Sequence, residues 1–124
     1  MTRDIVTTDK IAQPIGPFSA AVRGELTFLS GQVAQDPVTG ALIDGDAAAQ
    51  AERILRNLTA VIEAAGKTLD DVVRVGIYLT DMTDFAAVNS VYGKHFHAPF
   101  PARTAIAVAG LPLGAAVEMD AVVA

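Results

Sequence analysis

The 124-residue chain has no cysteine and no tryptophan. Without cysteine there is no disulfide, no thiolate zinc or iron–sulfur ligation and no cysteine nucleophile. Basic residues are also scarce: nine Lys and Arg stand against 14 Asp and Glu, for a net charge of −5. That balance disfavours a protein that grips a phosphate backbone, and no Lys/Arg cluster offsets it. No apolar run reaches the ~18 residues of a membrane-spanning helix, since a charged residue interrupts every long stretch. The N-terminal Met1-Thr2-Arg3-Asp4-Ile5 lacks the apolar segment of a signal peptide, which makes a cytoplasmic protein the expectation.

What the chain has in plenty is apolar residues. They make up 52% of it and, with the 10 glycines, roughly 60%, against an ordinary ~45–50%. A chain this apolar folds rather than remaining disordered, and its length suits one domain spanning residues 1–124. A lone domain of this size has much surface for its volume. Part of the apolar excess is therefore expected to be covered by another subunit.

Eight elements are legible. Residues 4–8 alternate weakly as a short strand. Phe18–Val22 and Leu26–Val33 read as a hairpin around Arg23-Gly24-Glu25. Ala47 to Ala65 carries Ala47, Ala51, Ile54, Leu55, Leu58, Val61, Ile62 and Ala65 on one helical stripe. Asp46 is placed to cap it and Gly66 to close it. Val72–Leu79 is a β-branched strand. A second helix, from about Asp84 to Phe96, has Phe85, Val88, Tyr92 and Phe96 on one side, Thr83 as a candidate cap and Pro99 and Pro101 behind it. Strands Thr104–Ala109 and Ala116–Val123 finish the chain. The order β-β-β-α-β-α-β-β predicts an α+β fold with both helices on one face of a mixed sheet. The other face is then apolar and bare, the mark of an interaction surface.

Several short motifs lead nowhere. Gly66-Lys67-Thr68 has Val61 where a phosphate-binding loop needs glycine, so Gly66 reads as a helix end. Asn57-Leu58-Thr59 matches a glycosylation sequon but lies within the first helix. His95 and His97 point to different sides at a spacing of two and lack evident co-ligands for a metal. Asp44, Asp46, Asp70 and Asp71 read as loop and cap positions.

The last quarter is different. From Ala98 onward the only charged residues are Arg103, Glu118 and Asp120, all beside or within apolar strands. Strand alternation puts Glu118 and Asp120 on one face and Val117, Met119 and Ala121 on the other. Either these charges simply face solvent, or Arg103 and Glu118 line a cleft. In the second case Arg103 suits a carboxylate held bidentately, and Glu118 a water that it positions or deprotonates.

Five blocks carry a resemblance: Ile15-Gly16-Pro17-Phe18, Ser30-Gly31-Gln32, Val88-Asn89-Ser90-Val91-Tyr92, Phe100-Pro101-Ala102-Arg103 and Leu111-Pro112-Leu113-Gly114-Ala115-Ala116-Val117-Glu118. In this order, over nearly the whole chain, the sequence resembles the reactive intermediate/imine deaminase (Rid, or YjgF) family. The resemblance implies a chorismate-mutase-like fold assembled as a homotrimer with clefts between subunits. It implies cofactor-independent hydrolysis of 2-enamino and 2-imino acids, such as 2-aminoacrylate and 2-iminopropionate, to 2-oxo acids and ammonia. Such an activity removes reactive intermediates released by pyridoxal-phosphate enzymes. Carried over by motif, Arg103 would hold the substrate carboxylate and Glu118 would position the attacking water. Phe18, Ser30 and Gly31 would line the pocket, and Ala105 would contribute main-chain contacts. Many deaminating members have Tyr in place of Phe18 and Cys in place of Ala105, so one hydroxyl is missing here. The alternatives are a pathway-specific deaminase acting on 2-aminomuconate or an aminoacrylate, and a small-ligand-binding trimer without turnover. RNA cleavage, attached to some relatives, is disfavoured by the acidic balance.

Overall fold

The first helix follows from its stripe. In the computed structural model, which describes residues 2–124, α1 runs Ala47–Ala64 with Ala47, Ala51, Ile54, Leu55, Leu58, Val61 and Ile62 buried. Asp46 caps it by accepting from the Ala49 N–H at 2.9 Å. Gly66, at φ +79°, closes it: its N–H reaches Glu63 O and the Lys67 N–H reaches Ile62 O, the paired bonds of a Schellman ending.

The strands are β1 (Asp4–Val6), β2 (Ala21–Arg23), β3 (Thr27–Gln32), β4 (Val72–Leu79), β5 (Ala102–Ala107) and β6 (Val117–Val123), and α2 spans Phe85–His95. They form one six-stranded sheet in the order β1-β2-β3-β6-β4-β5. Among the described residues only the β4–β5 pair is parallel, so the sheet is mixed. Both helices pack on one face, over Leu29, Val75, Ile77, Leu79, Val117, Met119, Ala121 and Val123, which are all buried. Side chains such as Ile77 and Met119 contribute roughly 1.5–3 kcal/mol each when fully buried.

Some boundaries differ from the expectation. The first strand stops at Val6, and residues 18–20 precede β2 instead of belonging to it. The fifth strand begins at Ala102 and ends at Ala107, two residues earlier than expected at each end. Its mixture of small and polar residues gave no alternation with which to fix the start. Thr83 does not cap α2: both its N–H and its hydroxyl donate to Asp81, at 2.9 and 2.7 Å, closing a 3₁₀ turn over Met82–Asp84. Asp84 occupies the cap position without a side-chain bond. His95 is not without a carboxylate, since its Nε2 lies 2.9 Å from Glu52 Oε1 and ties α2 to α1.

The helix-free face of the sheet is bare in one chain. Ile5, Phe28 and Ile106 lie on it, at 50%, 55% and 45% exposure. That accounts for part of the apolar excess.

Candidate functional site

Arg103 and Glu118 stand on opposite faces of the sheet. Arg103 is paired with Val75 across the parallel β4–β5 ladder, and Val75 faces the helices. Glu118 is paired with Tyr78 across β4–β6, three positions on and therefore on the bare face. The cleft-lining pair expected from the sequence is thus not formed within one chain. Each residue lines a pocket of its own.

The Arg103 pocket, about 400 Å³, is walled by Asn89, Tyr92, Gly93, Phe100 and Pro101. One side of α2 builds it, because Phe85, Asn89 and Tyr92 follow one another at helical spacing. The Arg103 guanidinium donates from Nη1 to Asn89 Oδ1 at 2.8 Å. Its centre lies 4.8 Å from the Tyr92 ring centroid and 5.6 Å from that of Phe85, within cation–π range. One amide and two aromatic rings thus hold the cation, and the side chain lines an open pocket. The Tyr92 ring stacks on Phe96 at 4.6 Å. Its hydroxyl is buried and has no hydrogen-bond partner among the described residues, and burial raises its pKa above the ordinary tyrosine value. Ala105 shares the face of Arg103, two residues on, opposite Ile77. β5 is the sheet edge, so one side of its backbone is unpaired.

The Glu118 pocket, about 420 Å³, is lined by Gln13, Pro14, Ile15, Phe18, Val33 and Leu113, with Gly31 at its floor. A bulge in β3 shapes it. The pairing passes from Leu29↔Ala121 to Gln32↔Met119, so three steps of β3 span two of β6. Gly31 sits in that bulge against Glu118, and any Cβ there would run into the carboxylate. Ser30 acts beside the pocket: its Oγ donates to Ser19 O at 2.6 Å and holds the segment that carries Phe18. Phe18 is 53% exposed at the rim. Burial raises the pKa of the half-buried Glu118, and the Asp120 carboxylate on the same face adds to the effect.

Two further polar residues fasten the site. Gln50 and Asn57 are buried within the apolar stripe of α1. Gln50 Oε1 accepts from the Ala116 N–H at 2.9 Å, fixing the entry to β6 one residue before it starts. The Asn57 side-chain amide donates to Gln35 O at 3.1 Å. Their sequence signal was a polar residue at a core position, which needs a partner. Asn89 and Tyr92 were visible as parts of a block, but their grip on Arg103 was not. Among the described residues no group of His, Asp or Glu is arranged to hold a metal, and no helix is long and apolar enough to cross a membrane.

The chain is similar to known proteins over almost its full length. It is 47% identical to Protein DfrA of Myxococcus xanthus, covering 98% of this chain and 95% of that protein. It is 41% identical to the 2-iminobutanoate/2-iminopropanoate deaminase of Bos taurus, over 98% and 90%. Among solved structures, E. coli TdcF with bound serine superposes with a TM-score of 0.90 at 34% identity, over 97% of each chain. Residues 8–124 match the family model described as Endoribonuclease L-PSP. With the five blocks in order, the two helices on a six-stranded mixed sheet and these matches, the chain belongs to the Endoribonuclease L-PSP family, the Rid/YjgF proteins.

Proposed function

We propose that the protein hydrolyses 2-imino and 2-enamino acids to 2-oxo acids and ammonia, at a site formed where Arg103 of one copy meets Glu118 of another in a homotrimer. The observation that carries this reading is the placement of Arg103 and Glu118 in separate open pockets on opposite faces of one sheet. Each pocket is half of what the reaction needs. The bare apolar face and the free β5 edge give a second copy somewhere to dock. The deaminase name of the bovine relative and the serine held by TdcF, an amino acid with an α-carboxylate, support the same substrate class.

In the proposed mechanism Arg103, steadied by Asn89 and Tyr92, binds the substrate carboxylate and leaves the imine carbon over Glu118. A 2-enamino acid enters as its imine tautomer, its Cβ gaining a proton from water and its nitrogen giving one up, and the protonated imine carbon is already electrophilic, so orientation supplies much of the acceleration. Glu118 takes a proton from the attacking water as the C–O bond forms and the C=N π pair moves to nitrogen. It then returns that proton to nitrogen. The C–N bond breaks, the oxygen lone pair closes the carbonyl, and ammonia leaves with the hydroxyl proton. The raised pKa of Glu118 suits a group that must both accept and return a proton. No cofactor takes part in this scheme. The net charge of −5 sets it apart from RNA cleavage, which needs a basic surface.

The test is to generate 2-aminoacrylate from serine with a dehydratase and to follow 2-oxo acid release. The reading predicts acceleration by this protein and its loss in Arg103→Ala. No acceleration, together with binding of a 2-oxo acid at Arg103, would reassign the protein as a ligand-binding trimer.

A further inference from the structure

Asp120 is held in a way that an exposed strand acid does not require. It follows Glu118 by two residues on β6, so both carboxylates stand on the bare face. Its Oδ2 accepts from the Tyr78 hydroxyl at 2.9 Å, and its Oδ1 accepts from the Gly76 N–H at 3.1 Å. Arg74 Nη1 lies 3.8 Å from the same Oδ1. Gly76 makes the arrangement possible. A Cβ at this position would collide with the Asp120 carboxylate and the Tyr78 hydroxyl. A glycine inside a central strand weakens that strand, and it marks a place where another group must come close. Tyr78 is also the register partner of Glu118, so its ring stands directly across the ladder from that side chain.

We propose that Asp120, clamped by Tyr78 and Gly76, is a positioning residue: a fixed second carboxylate that makes Glu118 the proton carrier of the site. The clamp stops Asp120 from swinging to solvent, where water would screen it. Its charge then stays on the same face as Glu118 and disfavours a second full negative charge there. Within one chain β3 and the pocket walls around Glu118 carry no charge, whereas across the proposed junction Arg103 of a second copy opposes Asp120 and is common to all the variants compared. β3 supplies Ser30 and Gly31, and the pocket walls supply Gln13, Pro14, Ile15, Phe18, Pro112 and Leu113. β4 contributes Tyr78 and, further along, Arg74, which offsets part of the Asp120 charge. Burial and Asp120 both push the Glu118 pKa up, in keeping with this arrangement. The role in turnover rests on the proposed deaminase reading, whereas the electrostatic coupling can be measured without turnover.

The experiment uses the protein in its own assembly, labelled with carboxyl-¹³C glutamate. The chain has only four glutamates, Glu25, Glu52, Glu63 and Glu118, and Glu118→Gln identifies the last. The Glu118 midpoint is expected to fall in Asp120→Asn. It is expected to fall by less in Tyr78→Phe, where the carboxylate survives but is released to solvent. It is expected to rise in Arg74→Gln, a change at a solvent-facing side chain that guards against misfolding of the other two. The acid limb of kcat/KM should move to lower pH in Asp120→Asn alongside the titration. An unmoved Glu118 midpoint in folded Asp120→Asn overturns the clamp. A moved midpoint with an unmoved acid limb overturns its role in turnover. No turnover in the unaltered protein counts against the deaminase reading, and the titration still decides whether the clamp acts on Glu118.

Discussion

Burial and the nearby Asp120 carboxylate hold the pKa of Glu118 above its usual 4.5. Between that value and the raised one, the folded chain binds a proton that the unfolded chain has lost. Stability therefore falls as pH rises through this window. Removing the charge should recover it. Glu118→Gln is expected to be more stable than the parent at pH 7, by on the order of 0.5–2 kcal/mol. The gain should disappear below about pH 4, where both states carry the proton. Urea unfolding at the two pH values measures it. The same variant should be inactive, because an amide cannot take a proton from water. Gly31 makes the complementary point. Its Cβ-free backbone is what lets the Glu118 carboxylate lie where it does. Gly31→Ala should lower kcat/KM by roughly 10²-fold through misplacement of that carboxylate, while circular dichroism shows an intact fold.

At the level of elements, α1 acts as more than a hydrophobic stripe. Gln50 reaches from it to the Ala116 N–H and sets the start of the strand that carries Glu118. Gln50→Leu leaves that part-buried N–H without its partner, which should cost about 1 kcal/mol. It should also reduce activity more than an equal loss of stability elsewhere, as denaturant midpoints and rates measured together would show. The sequence was most legible where one local signal, a helical period or a run of β-branched residues, dominates. Val72–Leu79 is rich in β-branched residues and matches β4 residue for residue, and the α1 stripe gave the helix together with its Asp46 cap and Gly66 ending. Legibility failed where a residue's partners lie far away in the chain. Nothing local in Ala102–Ala107 tells which face Arg103 takes. That is settled by the pairing of β5 with β4, and by an α2 side built from Phe85, Asn89 and Tyr92. Thr83 failed as a cap because Asp81, two residues earlier, competes for its hydroxyl. Phe18, Gly31 and Glu118 were placed together by the resemblance and do share one pocket. Ser30 instead bonds the segment behind Phe18.

For the whole molecule, the apolar excess and the divided site have one proposed explanation. A sheet with helices on one side leaves Ile5, Phe28 and Ile106 exposed on the other. The two charged residues of the expected pair lie on opposite sides of that same sheet, and a second copy docked against it can bring them together. Closed cyclic assembly repeats such a junction around the ring. The most direct measurement is complementation between inactive variants. Arg103→Ala and Glu118→Gln should each be inactive alone. Coexpressed in equal amounts and purified as mixed trimers verified by native mass spectrometry, they should regain roughly a third of the parent activity, since about one junction in three of such a ring joins an intact Arg103 to an intact Glu118. Mixed assemblies with no recovered activity, from a parent protein that is active, would contradict a site shared between copies.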